Sequence, residues 1–167
     1  MNDKSIIKNL FKHMQWADAE VWKVVEQSPT IENDKKIKLL LYHIHLVQFL
    51  FLKIWKNEKL DHPKEDEFNN LIEIREWSKE NYSELNNFLD ECGENQLEKI
   101  VQIPWAKGIE KKFGREPEQV TMKDTMLQVA THSNYHRAQA NMKLRELGYD
   151  PPSIDYIVWL WLGKPKP

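Results

Sequence analysis

The sequence predicts an all-α protein, a four-helix bundle, from three observations. Four long stretches carry apolar residues at three- and four-residue spacing, which is the pattern of amphipathic helices. Glycine is scarce, with 5 among 167 residues, and 30% of the residues are charged, as is typical of long helices. Seven tryptophans supply large side chains for a core or pocket. No repeat or flexible linker divides the chain, so we expect a single domain over residues 1–167.

The first predicted helix covers residues 3–27, and Pro29 ends it. Its apolar positions recur at helical spacing: Leu10, Met14, Ala17, Val21 and Val25. The second predicted helix covers residues 33–56, with Asn33 or Asp34 as its N-cap. A polar, proline-containing loop follows over residues 57–67.

The second helix is apolar on two opposite faces. The face expected to point into the bundle is apolar except for one histidine: Leu40, His43, Val47, Leu50 and Ile54. The opposite face has the same character: Leu41, His45, Phe49 and Leu52. A helix that is apolar on both sides is buried on both sides. We therefore expect the second face to pack on another subunit in a homodimer, the alternative being coverage by the C-terminal tail.

The second half of the chain predicts two more helices and an insertion. A third helix covers about residues 69–91 and ends before Gly93. Residues 97–120 are rich in glycine and proline and predict a short strand or an irregular loop before the last long helix. That helix begins at Thr121, with Asp124 in its first turn, and runs to about Leu147. A tail with a double proline and a short apolar segment follows.

Composition excludes several classes of protein. The net charge of −2 comes from scattered residues of both signs, so we expect no nucleic-acid partner. The single cysteine, Cys92, rules out an intramolecular disulfide and a zinc site made of cysteines. The longest uncharged run, Leu39 to Leu52, is shorter than the roughly 18 residues of a membrane span. No secretory signal is visible at the start, so we expect a cytoplasmic protein without a membrane partner.

The histidines indicate a metal site. His132 and His136 are one helical turn apart, so both imidazoles lie on the same face and can share one ion. His43 lies on the face of the second helix expected to point into the bundle, where an unpaired imidazole is costly, and we predict it as the third ligand. His45 is roughly 200° away around the helix and cannot face the same ion. We interpret it as an interface or surface histidine, and His13 and His62 as solvent-exposed.

Several segments resemble one family. THSNYHRAQ resembles the His-x-x-x-His-Arg-Gly-Gln signature of the DinB-like superfamily of small metal-binding four-helix bundles. LLYHIHLVQ resembles the family's Leu-x-x-His-Ile-x-x-x-Glu segment, which aligns His43 with the first ligand. IPWAKG and LRELGYDPPSIDYI resemble its loop and its closing tail. This sequence departs from the family pattern at Gln48 (in place of Glu), at Ala138 (in place of Gly) and at Tyr135 (in place of a frequent His).

The resemblance implies a function for the site. Three imidazoles leave at least one coordination position open, as in catalytic sites, and we expect one divalent ion per chain, zinc first and nickel second. Family members include enzymes that use bacillithiol, mycothiol or glutathione. The resemblance therefore implies transfer of a low-molecular-weight thiol, as co-substrate, to an electrophilic small-molecule substrate. The alternatives are a metal-dependent hydrolase and a non-catalytic metal-binding stress-response protein. No catalytic acid or base is assigned.

Four further residues are candidates for supporting roles. Arg137 and Gln139 follow the last ligand and belong to the family pattern, and Arg137 is expected to pair across helices or with the tail. Asp155 and Tyr156 lie in the C-terminal tail, which we expect to close over the site. In that position Asp155 would pair with Arg137 or hold a ligand imidazole through its second nitrogen.

Overall fold

The structure is a computed structural model that describes residues 2–28 and 30–167, so the predicted helix end at Pro29 lies outside the described residues. Its elements follow one another along the chain in this order: α1 (Asp3–Glu26), α2 (Lys35–Trp55), a 3-10 turn (Glu65–Glu67), α3 (Leu71–Glu91), α4 (Glu94–Leu97), β1 (Ile100–Val101), α5 (Lys107–Phe113), β2 (Val120–Thr121), α6 (Met122–Glu146) and α7 (Tyr156–Trp161). The four long helices begin and end within about two residues of their predicted bounds, as is usual for helix ends. The all-α bundle with a strand-like insertion is confirmed.

The four long helices form a ring in the order α1, α6, α2, α3. The most extensive contact joins α2 to α6, while α1 packs against α6 and α3, and α3 packs against α2. Two clusters of buried apolar side chains fill the interior along the bundle axis. The α2–α6 groove and the α1–α3 groove therefore lie on opposite sides of the bundle.

Side-chain caps fix the starts of the two helices that carry the predicted ligands. At α2, the Asp34 carboxylate accepts from the backbone N–H groups of Lys36 and Ile37. At α6, Thr121 and Asp124 form a reciprocal capping box, each side chain bonding the other's backbone N–H. These caps satisfy backbone donors that have no partner inside the helix, so both helices begin at defined residues.

The insertion before α6 is a small antiparallel ladder around a short helix. Ile100 pairs with Thr121 and Val101 with Val120. Between the two strands, α5 is a helix that the sequence analysis did not predict. It ends at Gly114, whose φ of 68° lies in the left-handed region that favours glycine. The ladder leads directly into α6 and sets where that helix begins.

The face of α2 that was predicted to lie outside the bundle is the more deeply buried of the two. Leu41, His45 and Leu52 are 2%, 1% and 0% exposed, whereas His43 is only half-buried. The face expected to meet another subunit therefore packs inside the chain's own bundle, where Trp22 of α1 and Tyr82 of α3 contact His45. Because three of its four residues are buried within the single chain, this face gives no ground for a homodimer, and the homodimer itself stays a prediction.

The C-terminal segment packs on α1. Trp159 is buried against Trp16 and Ala17. The imidazole Nε2 of His13 lies 2.8 Å from the carbonyl oxygen of Ile154. His13 is therefore buried, and the interpretation that it is solvent-exposed is wrong, because the tail covers this part of α1.

One helix, α2, has the length and apolar composition that a membrane span requires. It has 21 residues and a mean hydropathy of 1.5 over its most apolar 18-residue window, 44% of which is buried in the bundle. The uncharged run Leu39 to Leu52 is shorter than a membrane span, but the helix extends beyond it at both ends and includes charged residues there. Core helices of soluble proteins have the same length and composition.

Candidate metal centre

Three imidazoles meet in the groove between α2 and α6. His132 and His136 come from adjacent turns of α6, and His43 comes from the middle of α2. Their candidate ligand nitrogens all lie within 4.8 Å of one another, and each side chain is half-buried. The structure thus brings together the three histidines that the sequence analysis selected. Their role as metal ligands stays a prediction.

The spacing of these nitrogens suits one ion. Two ligands bound at about 2.0–2.1 Å, at angles between about 90° and 109°, lie roughly 2.9–3.4 Å apart. The Nε2 atoms of His43 and His132 are 3.1 Å apart, inside that range. Within residues 2–28 and 30–167, no further His, Cys, Asp or Glu joins the group. The donor set therefore fits a divalent ion with at least one position left for another ligand.

Two of the three imidazoles are neutral near pH 7. Burial, followed by the proximity of His136 and His43, lowers the pKa of His132 to about 4. Burial and the neighbouring His136 also lower the pKa of His43. A neutral imidazole has a free lone pair, which is the form that binds a metal ion.

Gln139 orients the third imidazole. Its amide oxygen Oε1 lies 2.8 Å from Nδ1 of His136. Because an amide oxygen only accepts hydrogen bonds, Nδ1 carries the proton and donates, and the lone pair is on Nε2. Metal-binding histidines usually have such a partner on the second nitrogen. The family-pattern residue Gln139 occupies this position on α6 itself, one turn after His136.

The expected role of the tail is not realised. Asp155 is exposed, and in the part of the chain that the structure describes it makes no hydrogen bond to Arg137 or to a ligand histidine. The segment around Tyr156 packs on α1 beside His13 rather than over the three histidines. The prediction that the tail closes the site is wrong, because the buried indole of Trp159 anchors it to α1.

A buried polar network lies behind the site. Arg137 Nη1 donates to Asp18 Oδ1 at 2.8 Å, and the two side chains are 1% and 2% exposed. Gln48 Nε2 donates to Asp18 Oδ2 at 2.9 Å and to Ser133 Oγ at 3.1 Å. The Tyr82 hydroxyl also donates to Asp18. Because Ser133 and Arg137 directly follow the two ligands of α6, the network fixes the rotation of α6 against α1, α2 and α3.

His45 belongs to this network and not to the surface. The indole Nε1–H of Trp22 donates to its Nε2 at 3.0 Å, so its Nδ1 carries the proton and faces Gln48 Oε1 at 3.2 Å. Burial lowers the pKa of His45 and keeps it neutral. The interpretation as an interface or surface histidine is wrong. The network draws residues from four helices at unrelated sequence positions, and only the Gln48 departure from the family pattern hinted at it.

The outer side of the centre is open to solvent. Tyr135 is 62% exposed, and its ring lies edge-on to His136 with centroids 5.0 Å apart. Cys92, by contrast, is buried, and burial raises the pKa of its thiol, as expected of an inert structural cysteine. The three histidines are themselves only partly buried, so the centre is in contact with solvent.

Comparison with known proteins identifies the family of the chain. No curated protein matches the chain. The model of the DinB family matches residues 1–166, which is nearly the whole sequence. The family is metal-binding, and the three-histidine group is compatible with a metal site. The chain belongs to the DinB family.

Proposed function

We propose that this protein is a divalent-metal-dependent enzyme that transfers a low-molecular-weight thiol to an electrophilic small molecule. The observation that carries the proposal is the three-histidine group itself: three imidazoles face one point, no fourth protein ligand joins them among the described residues, and one side is open to solvent. A purely structural site would be closed by a fourth ligand.

The chain's own residues prepare the site for this chemistry. When bound, a divalent ion lowers the pKa of a thiol or water that it coordinates. His43 and His132 are neutral, and Gln139 holds His136 in the tautomer that presents Nε2. Nitrogen ligands suit both zinc and nickel, and we propose zinc as the first choice and nickel as the second. A sulfur ligand competes with water at such ions because thiolates are soft donors.

The proposal includes a cellular setting. Low-molecular-weight thiols are kept reduced in the cytosol, so a thiol transferase with this site belongs in the cytoplasm.

A homodimer remains part of the proposal on a different surface from the one first considered. The apolar residues that follow His43 along α2, Val47, Leu50 and Ile54, are only partly covered. Sedimentation at tens of micromolar tests this part by itself, with a monomer as the contradicting result.

Cobalt substitution tests thiol binding at the site. Cobalt-loaded protein is titrated with glutathione and with bacillithiol while the visible absorption of the metal is followed. We expect a saturable spectral change at about one thiol per metal. The His132→Ala/His136→Ala variant provides the metal-free reference, and His62→Ala, which alters an exposed histidine, is the matched control and keeps the response. A spectrum that ignores both thiols contradicts the proposal.

Turnover then separates the proposal from its alternatives. The metal-loaded protein is incubated with each thiol and a panel of alkyl halides, epoxides and activated alkenes, and in parallel with esters and amides. Thiol conjugation that is lost in His43→Ala supports the transferase. Hydrolysis without conjugation establishes a metal-dependent hydrolase instead. No turnover in either panel, with a thiol-insensitive metal, leaves a non-catalytic metal-binding stress-response protein.

A further inference from the structure

A cavity lies on the side of the bundle opposite the three histidines. It has a volume of about 640 Å³ and is bounded by α1, α3 and the C-terminal segment. Leu89 and Trp159 provide apolar wall, while Gln15 and Asn86 provide amides. The α1–α3 groove lies across the bundle from the α2–α6 groove, so this cavity is separate from the metal centre.

The cavity is positively charged. Four lysines line it, Lys8, Lys12, Lys164 and Lys166, against one acidic side chain, Asp90. Asp90 is ion-paired with Lys8. Among the described residues, the other three lysines have no carboxylate partner within ion-pair distance. This local excess stands out because the whole chain has a net charge of −2.

The positive side of the cavity follows from the sequence of α1. Lys4, Lys8 and Lys12 are spaced by four residues and lie on one helix face, where like charges repel one another. The Lys4 ammonium also reaches the carbonyl oxygen of Asp90, at 2.9 Å. Lys4 and Lys8 thus both bond to Asp90 of α3. Among the described residues Lys12 has no carboxylate within ion-pair distance, so its ammonium can meet another anion.

The opposite wall is preformed. The buried indole of Trp159 donates to the carbonyl oxygen of Pro165 at 3.0 Å. The backbone N–H of Lys164 donates to the carbonyl oxygen of Trp159 at 2.9 Å, and its ammonium lies 5.7 Å from the centre of that indole ring. Across the cavity, the amides of Gln15 and Asn86 bond each other at 2.9 and 3.2 Å. Hydrogen bonds thus hold the amides and the indole wall in place.

We infer that this cavity binds an organic anion: a small molecule with a phosphate or carboxylate group and an apolar ring or chain. The volume falls within the range of small-molecule sites. The lysine ammonium groups meet the anionic group as point charges, and Trp159 and Leu89 contact the apolar part. The site is independent of the metal centre and of the proposed transferase activity.

Nuclear magnetic resonance of the ¹⁵N-labelled full chain tests this inference. Phenyl phosphate and phenylacetate are the anionic probes, and benzyl alcohol is the neutral probe of similar shape. We expect both anions to shift the Trp159 indole N–H and the backbone N–H groups of Lys12 and Lys164, saturably, with phenyl phosphate the tighter because it carries more charge. Benzyl alcohol binding as tightly as the anions contradicts the inference.

Two double variants locate the binding. Lys12→Ala/Lys164→Ala should weaken phenyl phosphate binding at least tenfold. Lys36→Ala/Lys107→Ala removes two exposed lysines elsewhere and should leave it unchanged. Equal weakening in both would reduce the effect to diffuse surface attraction and overturn the site. In His132→Ala/His136→Ala the affinity read at Trp159 should persist, and its loss would assign the binding to the metal centre instead.

Discussion

A single amide sets which nitrogen of His136 is free to bind an ion. Gln139 accepts from Nδ1 of that ring and so leaves the lone pair on Nε2. In Gln139→Leu the ring loses this orientation, and we expect the affinity for Zn²⁺ to fall by about 10- to 100-fold. Competition with a chromophoric chelator measures the loss. Gln128→Leu, at an exposed position one turn before His132, is the control, and equal affinities in the two variants would remove the role of Gln139.

The ion pair between Asp18 and Arg137 is buried behind the three histidines. Asp18→Ala leaves Arg137 charged and unpaired at 1% exposure, so we expect the free energy of unfolding to fall by about 3–5 kcal/mol. Urea denaturation measures it. The double variant Asp18→Leu/Arg137→Met removes both charges and should be more stable than the single variant. A single variant as stable as the wild type would show that the pair contributes nothing to the fold.

Individual residues were predictable where spacing decides the outcome. The i,i+4 relation of His132 and His136 follows from helix geometry alone, and the structure places them side by side. The burial of His13 and His45 did not follow, because it depends on Ile154 and Trp22, which are distant in sequence. A histidine's environment is set by whatever packs on it, and a single sequence does not reveal that packing.

The stability of each helix depends on whether the backbone N–H and C=O groups at its ends find hydrogen-bond partners. Thr121 caps α6 through the N–H of Asp124, at the end of the helix that carries two of the three histidines. Thr121→Ala should lower the free energy of unfolding by about 1 kcal/mol. Thermal or urea unfolding measures it against Thr131→Ala, an exposed mid-helix change expected to stay within about 0.5 kcal/mol. A loss no larger than that of the control would mean that the capping box contributes nothing.

Secondary-structure elements were predicted more accurately than the surroundings of single residues. Periodicity and cap residues gave the four long helices to within about two residues, since both signals are local. Two features were missed for physical reasons. The helix α5 lies among glycines and prolines that indicate a loop. The burial of the second face of α2 inside the same chain was missed because both of its faces are apolar. Only the polar partners of His45 distinguish the inner face.

The stability of the whole metal-free molecule should depend on pH through its buried histidines. Burial lowers the pKa of four histidines, His13, His43, His45 and His132, so the folded state holds them neutral while the unfolded state takes up protons near pH 6.5. Stability is therefore full above about pH 6.5 and falls below it, by up to about 1.4 kcal/mol per pH unit for each such histidine. Unfolding in urea with a chelator present, at pH 7, 6 and 5, measures the slope.

One variant pair isolates this effect. His13→Asn removes one of the four groups and should make the decline between pH 7 and 5 shallower. His62→Asn, at an exposed position, should leave the slope as in the wild type. An identical slope in the wild type and in His13→Asn would show that protonation of His13 does not oppose folding.

The proposed function depends on the binding of one metal ion between α2 and α6. Elemental analysis after equilibrium dialysis against Zn²⁺ tests it most directly, on the wild type beside His43→Ala, His132→Ala/His136→Ala and the control His62→Ala. We predict about one zinc per chain in the wild type and in the control, a marked loss in His43→Ala, and none in the double variant. Zinc at equal stoichiometry in all four proteins, or in none of them, would contradict the central claim.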